Sequence, residues 1–160
     1  MLAAFVLQAT LSPHIGVGDA VPNFLMVAAL SIALFEGPSA GASAGFVAGL
    51  VFNLLGYGPV GAMALVLACA GYVAGLLHQQ MFAEGVLLPL TVVAITAVLS
   101  EVAYGAVLGL LGVGLPFGEM MVRVVLPVAV YNTVIAIGAV PIVGRWLHRG
   151  PRIDTLTRLG

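Results

Sequence analysis

Gly37-Pro38-Ser39-Ala40-Gly41-Ala42-Ser43-Ala44-Gly45-Phe46-Val47-Ala48-Gly49-Leu50-Val51-Phe52-Asn53 sets a glycine at every fourth residue and closes the series on a polar asparagine. Four residues is about one turn of α-helix, so Gly37, Gly41, Gly45, Gly49 and Asn53 fall on one stripe. In a bilayer such a stripe of small side chains lets a second helix come close. The stretch predicts a membrane helix that is packed against rather than one that faces lipid. The partner helix belongs either to this chain or to another protein, and the spacing leaves both open.

Outward from this stretch the chain stays apolar. Of its 160 residues 62% are hydrophobic and 7% charged, with a mean hydropathy of +1.21, whereas about a quarter of the residues of a soluble domain are charged. This is the composition of an integral membrane protein with no soluble domain of useful size. A helical span takes about 20 apolar residues, which leaves room for five or six. The apolar runs are long and do not alternate, so the spans are helices and not barrel strands.

Gly and Pro gathered with polar residues mark the turns. They divide the chain into helices at about 1–12, 22–35, 39–55, 60–78, 86–111 and 119–147, with a short polar tail at 148–160. The expected fold is an all-α bundle of six transmembrane helices. The first span is thin for a bilayer, and Met1-Leu2-Ala3-Ala4-Phe5 carries neither the basic segment nor the cleavage site of a signal peptide. There is no lysine. The basic residues are Arg123, Arg145, Arg149, Arg152 and Arg158, and the last four crowd the C-terminus, which places that end in the cytoplasm. The loops after the first, third and fifth helices then face outward. Tyr57 and Trp146 fall where interfacial aromatics sit. Gly71 with Gly75 and Gly105 with Gly109 repeat the small-residue spacing and read as packing within one bundle. Cys69, in an apolar run, reads as a buried structural thiol. The net charge of -1 gives no reason to expect nucleic acid.

Chemistry-bearing residues are few. Glu101 is the one carboxylate well inside a span; near mid-bilayer such a group costs roughly 2.5 to 3.5 kcal/mol, so it should face the bundle and have a partner. Asn132 lies at similar depth on the last helix and is the expected contact. Glu119 precedes Arg123 by four residues, the favourable order for a helical ion pair, with Arg123 able to extend toward Glu101. The plainer account of all four is polar glue inside the bundle. Neither catalysis nor a metal or cofactor is expected: His14, His78 and His148 are far apart at span ends, no serine, histidine and acid combine into a nucleophilic set, and Gly16-Val17-Gly18 lacks the context of a phosphate loop. At the tail, Ile153, Leu156 and Leu159 recur every three residues, a weak amphipathic pattern at the cytoplasmic surface.

The stretches Pro22-Asn23-Phe24-Leu25, Phe35-Glu36-Gly37-Pro38-Ser39-Ala40-Gly41-Ala42, Gly45-Phe46-Val47-Ala48-Gly49-Leu50 with Asn53-Leu54-Leu55, and Gly58-Pro59-Val60-Gly61 through Gly71-Tyr72-Val73-Ala74-Gly75 resemble the rod shape-determining MreD family. Gln8 near the start, and Arg123, Pro127, Tyr131-Asn132 and Pro141 near the end, continue the resemblance over nearly the whole chain. Two positions depart from it, since Asn23 and Asn53 stand where the family commonly has Asp. The resemblance implies a non-catalytic part of the bacterial cell-elongation machinery that acts with MreC in the complex linking MreB to RodA and its transpeptidase. It also implies a fold similar to the S component of energy-coupling-factor transporters. That kinship supplies a second function, capture of a small molecule such as a vitamin, in a shallow outer site lined by Tyr57, Asn53, Phe117, Glu119 and Arg123.

Overall fold

A computed structural model describes residues 1–16, 21–77, 87–113 and 116–147. Within them every regular element is helical: α1 (Leu2–Thr10), α2 (Ser12–Ile15), α3 (Phe24–Glu36), α4 (Pro38–Leu54), α5 (Ala62–Leu76), α6 (Leu87–Leu110), α7 (Phe117–Met120), a π-helical turn (Met121–Val125) and α8 (Leu126–Leu147). The loop predicted at 78–85, part of the one at 112–118 and the tail lie outside the described residues.

The glycine stripe is on α4, and the helix packed into it is α5 of the same chain. A Cβ at Gly41 would overlap the Gly71 carbonyl and the Ala33 side chain. At Gly45 it would overlap the Leu67 carbonyl, and at Gly49 the backbone of Met63 and Ala64. From the other side, a Cβ at Gly71 would meet the Gly41 carbonyl and one at Gly75 the backbone of Pro38. The two helices therefore touch backbone to backbone along their length. Gly37 ends that face, its carbonyl carbon lying beside Gly75 with the Pro38 backbone. It caps α4 at φ +90°, in the region that favours glycine, and Pro38 behind it occupies the first helical position.

α3 is the axis of the bundle. Nine of its thirteen residues are buried, Leu25 through Ser31 with Ala33 and Leu34, and it packs against α1, α4, α5, α6 and α8. Its apolar residues surround it on every side, as expected of a helix with no free face. Cys69 on α5 is exposed, not buried: α5 gives α4 its glycine side, and Leu65, Cys69, Tyr72 and Val73 look away from the bundle. The first helix stops at Thr10, short of the expected 12, and Ser12-Pro13 opens a second short helix where a loop is expected, because proline is tolerated in a first turn.

Among the described residues two helical stretches are long and apolar enough to cross a membrane, Leu88–Leu110 and Gly118–Arg145, while α3, α4 and α5 are shorter apolar helices. At a rise of 1.5 Å per residue, the thirteen residues of α3 cover about 20 Å of a hydrocarbon layer about 30 Å thick. Short helices must end inside the bundle. Their free N–H and C=O groups then need protein partners, since lipid offers none.

Gly45→Ala is expected to destabilise the protein by roughly 1 to 3 kcal/mol through overpacking, read as a lower melting temperature in detergent, and Gly45→Leu to abolish a monodisperse folded peak. Gly109→Ala, where an added methyl meets nothing, should be neutral. Fluorescence-detected size exclusion after a heating series compares the three, and a folded Gly45→Leu protein would show that the stripe is not an internal interface.

Candidate functional site

The polar groups gather at one end of the bundle, where α3 begins and α4 ends. α3 starts at depth, and side chains from three other elements satisfy it. Gln8 of α1 accepts from the Phe24 N–H through Oε1 at 2.8 Å. Its Nε2 donates to Ser12 Oγ at 3.0 Å and to the Pro22 carbonyl at 3.1 Å, and Ser12 Oγ donates to the same carbonyl at 2.7 Å. Asn23 is the N-cap, its Oδ1 accepting from the Met26 N–H at 2.9 Å. Its own N–H donates to Asn132 Oδ1 of α8 at 3.0 Å. Both asparagine orientations are thereby fixed, and each leaves its buried Nδ2 without a hydrogen-bond partner.

Asn53 performs the equivalent service where α4 turns into α5. Its Oδ1 accepts from the Met63 N–H at 3.0 Å, and its Nδ2 donates to the Tyr57 carbonyl and to Tyr104 Oη, each at 3.3 Å. The Tyr104 hydroxyl in turn donates to the Tyr57 carbonyl at 2.6 Å. This closes a ring of hydrogen bonds between α4, the connecting loop and α6. Phe52 stacks on Tyr57 at 4.7 Å and meets Tyr104 edge-on at 6.5 Å. Gly58, at φ +105°, lies so near the Tyr104 hydroxyl that a Cβ would collide with it.

Beside this ring a half-open cavity of about 370 Å³ is walled by the Tyr57-Gly58 loop, by Leu108 of α6 and by Met120, Val124 and Val128 of the last helical stretch. Its lining is apolar apart from Tyr57, Tyr104 and Glu101. Glu101 is 6% exposed. Its carboxyl lies next to the Asn132 amide, short of a well-formed hydrogen bond to it. Between Met121 and Val125 the helix widens, and the Leu126 N–H donates to the Met121 carbonyl five residues back. Pro127 explains the widening, because its ring crowds the carbonyl four residues before it, that of Arg123.

The expected pairs are thus placed unequally. Asn132 and Glu101 are neighbours. Arg123 meets Glu119 at 2.9 Å on the protein's outside, with 64% of the Arg123 side chain exposed, so it turns away from Glu101 and does not extend toward it. The ion pair is held by i,i+4 spacing on the helix surface, where its contribution to stability is about 0.3 to 0.5 kcal/mol. The shallow site expected from Tyr57, Asn53, Phe117, Glu119 and Arg123 is not what the cavity is made of. Of the four whose side chains are described, only Tyr57 lines it, because Asn53 is consumed as a cap and the charged pair faces outward; the Phe117 side chain lies outside the described residues. Tyr104 and Ser12 were missed. The signals for them were Tyr104 three residues after Glu101 and Ser12 four after Gln8, each pair on one helical face. Among the described residues no three His, Cys, Asp or Glu side chains come together as a metal site would need.

A family model described as rod shape-determining protein MreD matches residues 1–149. No curated protein and no solved structure matches the chain.

Asn53→Ala should destabilise the protein by about 1 to 2 kcal/mol, because it strands the buried Met63 N–H. Asn53→Asp should fall between, keeping the acceptor for Met63 and losing both donated bonds, and Tyr104→Phe should cost about 1 kcal/mol. Thermal unfolding in one detergent orders them, and an Asn53→Asp protein as stable as wild type would show that the donated bonds contribute nothing.

Proposed function

The chain belongs to the MreD family and is therefore a membrane rod-shape determinant of the elongasome, and from that premise we propose that it binds MreC and helps to regulate lateral peptidoglycan synthesis without catalysing a step itself. RodA, its transpeptidase and MreB are then reached indirectly, through MreC. The observation that carries this reading is the family match over residues 1–149. The glycine stripe is occupied by α5, so MreC meets another surface. We read the chain as a multi-pass protein of the bacterial inner membrane with six spans, similar in plan to the S component of energy-coupling-factor transporters. Arg145, Arg149, Arg152 and Arg158 support a cytoplasmic C-terminus. A vitamin-binding transporter subunit has no support in the family match.

Extraction in mild detergent should recover MreC with this protein, and depletion of the protein should turn rods into spheres. A fluorescent protein fused after Gly160 should mature in the cytoplasm, whereas alkaline phosphatase at the same place should stay inactive. Native mass spectrometry that found a transporter scaffold with its ATPases in place of MreC would overturn the reading.

A further inference from the structure

We propose that the cavity beside Tyr57 and Tyr104 is a binding site for an apolar group that ends in a protonated amine or guanidinium, with Glu101 as the residue that meets its charge. The inference does not depend on which protein the chain works with.

Of the polar side chains lining the cavity, Tyr104 donates to the Tyr57 carbonyl and accepts from Asn53. Among the described residues Glu101 has only the neighbouring Asn132 amide on its side, while a carboxylate offers about four lone-pair sites. It is 6% exposed and lines the cavity, so the capacity left over borders that space. A buried carboxylate in a membrane bundle is ordinarily paired. Among the described residues the nearest cation in sequence, Arg123, is bound to Glu119 on the outer surface, and Arg145 lies more than a dozen residues beyond Asn132 on the same helix. The start of α3, which Asn132 joins to this place through the Asn23 N–H, contributes the partial positive charge of a helix N-terminus and no formal charge. No described cation of the chain is thus set against Glu101, and the proposed site takes its counter-charge from the bound group. The walls select its carrier: Leu108, Met120, Val124 and Val128 accept an aliphatic or aromatic body, and 370 Å³ is of the size that holds a small ligand or one long side chain. A lysine or arginine of a partner protein and a free amphipathic amine share this chemistry.

The test uses the full-length protein in detergent with two probes, phenylbutylamine, protonated at neutral pH, and phenylbutanol, its uncharged counterpart, followed by thermal shift and titration calorimetry. The amine should bind about tenfold more tightly than the alcohol or better, a charge-assisted margin. Glu101→Gln should bring the amine to the level of the alcohol and leave the alcohol unchanged. Equal binding of the two probes by wild type, or amine binding untouched by Glu101→Gln, overturns the proposal. Should Glu101→Gln fail to fold, Leu108→Trp, which fills the cavity from its wall, must abolish amine binding, and its persistence would equally sink the idea. Repeating the titration on protein purified together with its partners separates the two sources. A partner's basic side chain keeps the probe out, whereas a free amine, removed by dialysis, leaves the cavity open to it.

Discussion

Backbone contact between α4 and α5 is the constraint from which the other features follow. With Gly41, Gly45 and Gly49 set against the backbone of Gly71, Leu67 and Met63, the two helices meet backbone to backbone at each glycine. In a bilayer the drive for such an approach is close packing, because burying apolar surface away from lipid gains little. Two helices drawn so near behave as one thick wall, and α3 lies against it with nearly every side chain enclosed. The wall turns at both ends on glycine: Gly37 at φ +90° enters α4, and Gly61 at φ +94° enters α5.

The short lengths of α3, α4 and α5 raise the second problem, that of helix ends buried away from water. Asparagine solves it twice. At Asn23 and Asn53 the side-chain carbonyl accepts the backbone N–H that the helix start leaves over, Met26 in one case and Met63 in the other. A carboxylate would accept equally well, so an exchange of Asn for Asp at either position would keep the cap. The two sites differ in the other half of the amide. At Asn53 the NH₂ has work, donating to Tyr57 and Tyr104, and the amide is the better residue. At Asn23 the NH₂ is buried and unpartnered, and nothing in the described structure rewards the exchange.

How much of this the sequence disclosed depends on whether local chemistry or tertiary context decided it. The helices were legible as a set, because composition and Gly-Pro turns report on a bilayer directly. The Glu119–Arg123 pair was legible too, since i,i+4 spacing is local. That the ladder is internal was not, because small-residue spacing is the same for a helix of this chain and of another. The central place of α3 was hidden for a related reason: in a soluble protein an all-apolar helix announces burial, but in a membrane protein lipid-facing helices are apolar as well. Cys69 was misplaced by the same ambiguity. The cavity could not be read at all, since Tyr57, Glu101, Leu108 and Val124 reach it from three separate elements.

A glycine ladder of period four has a weakness that the polar groups correct. Sliding α5 along α4 by one turn, about 5.4 Å, sets glycine against a new backbone neighbour with nearly the same fit, so packing alone specifies the register poorly. The hydrogen bonds do not repeat. Asn53 has one Met63 N–H to accept from and one Tyr104 to donate to. Gln8 has one Phe24 N–H, and Asn132 one Asn23 N–H. A slip of one turn strands the Met63 N–H in a place with no water, at about 1 to 3 kcal/mol. Close packing therefore supplies the proximity of these helices, while the asparagine caps select one register among those the glycines permit. In doing so they hold Tyr57, Tyr104 and Glu101 around a single cavity of defined shape.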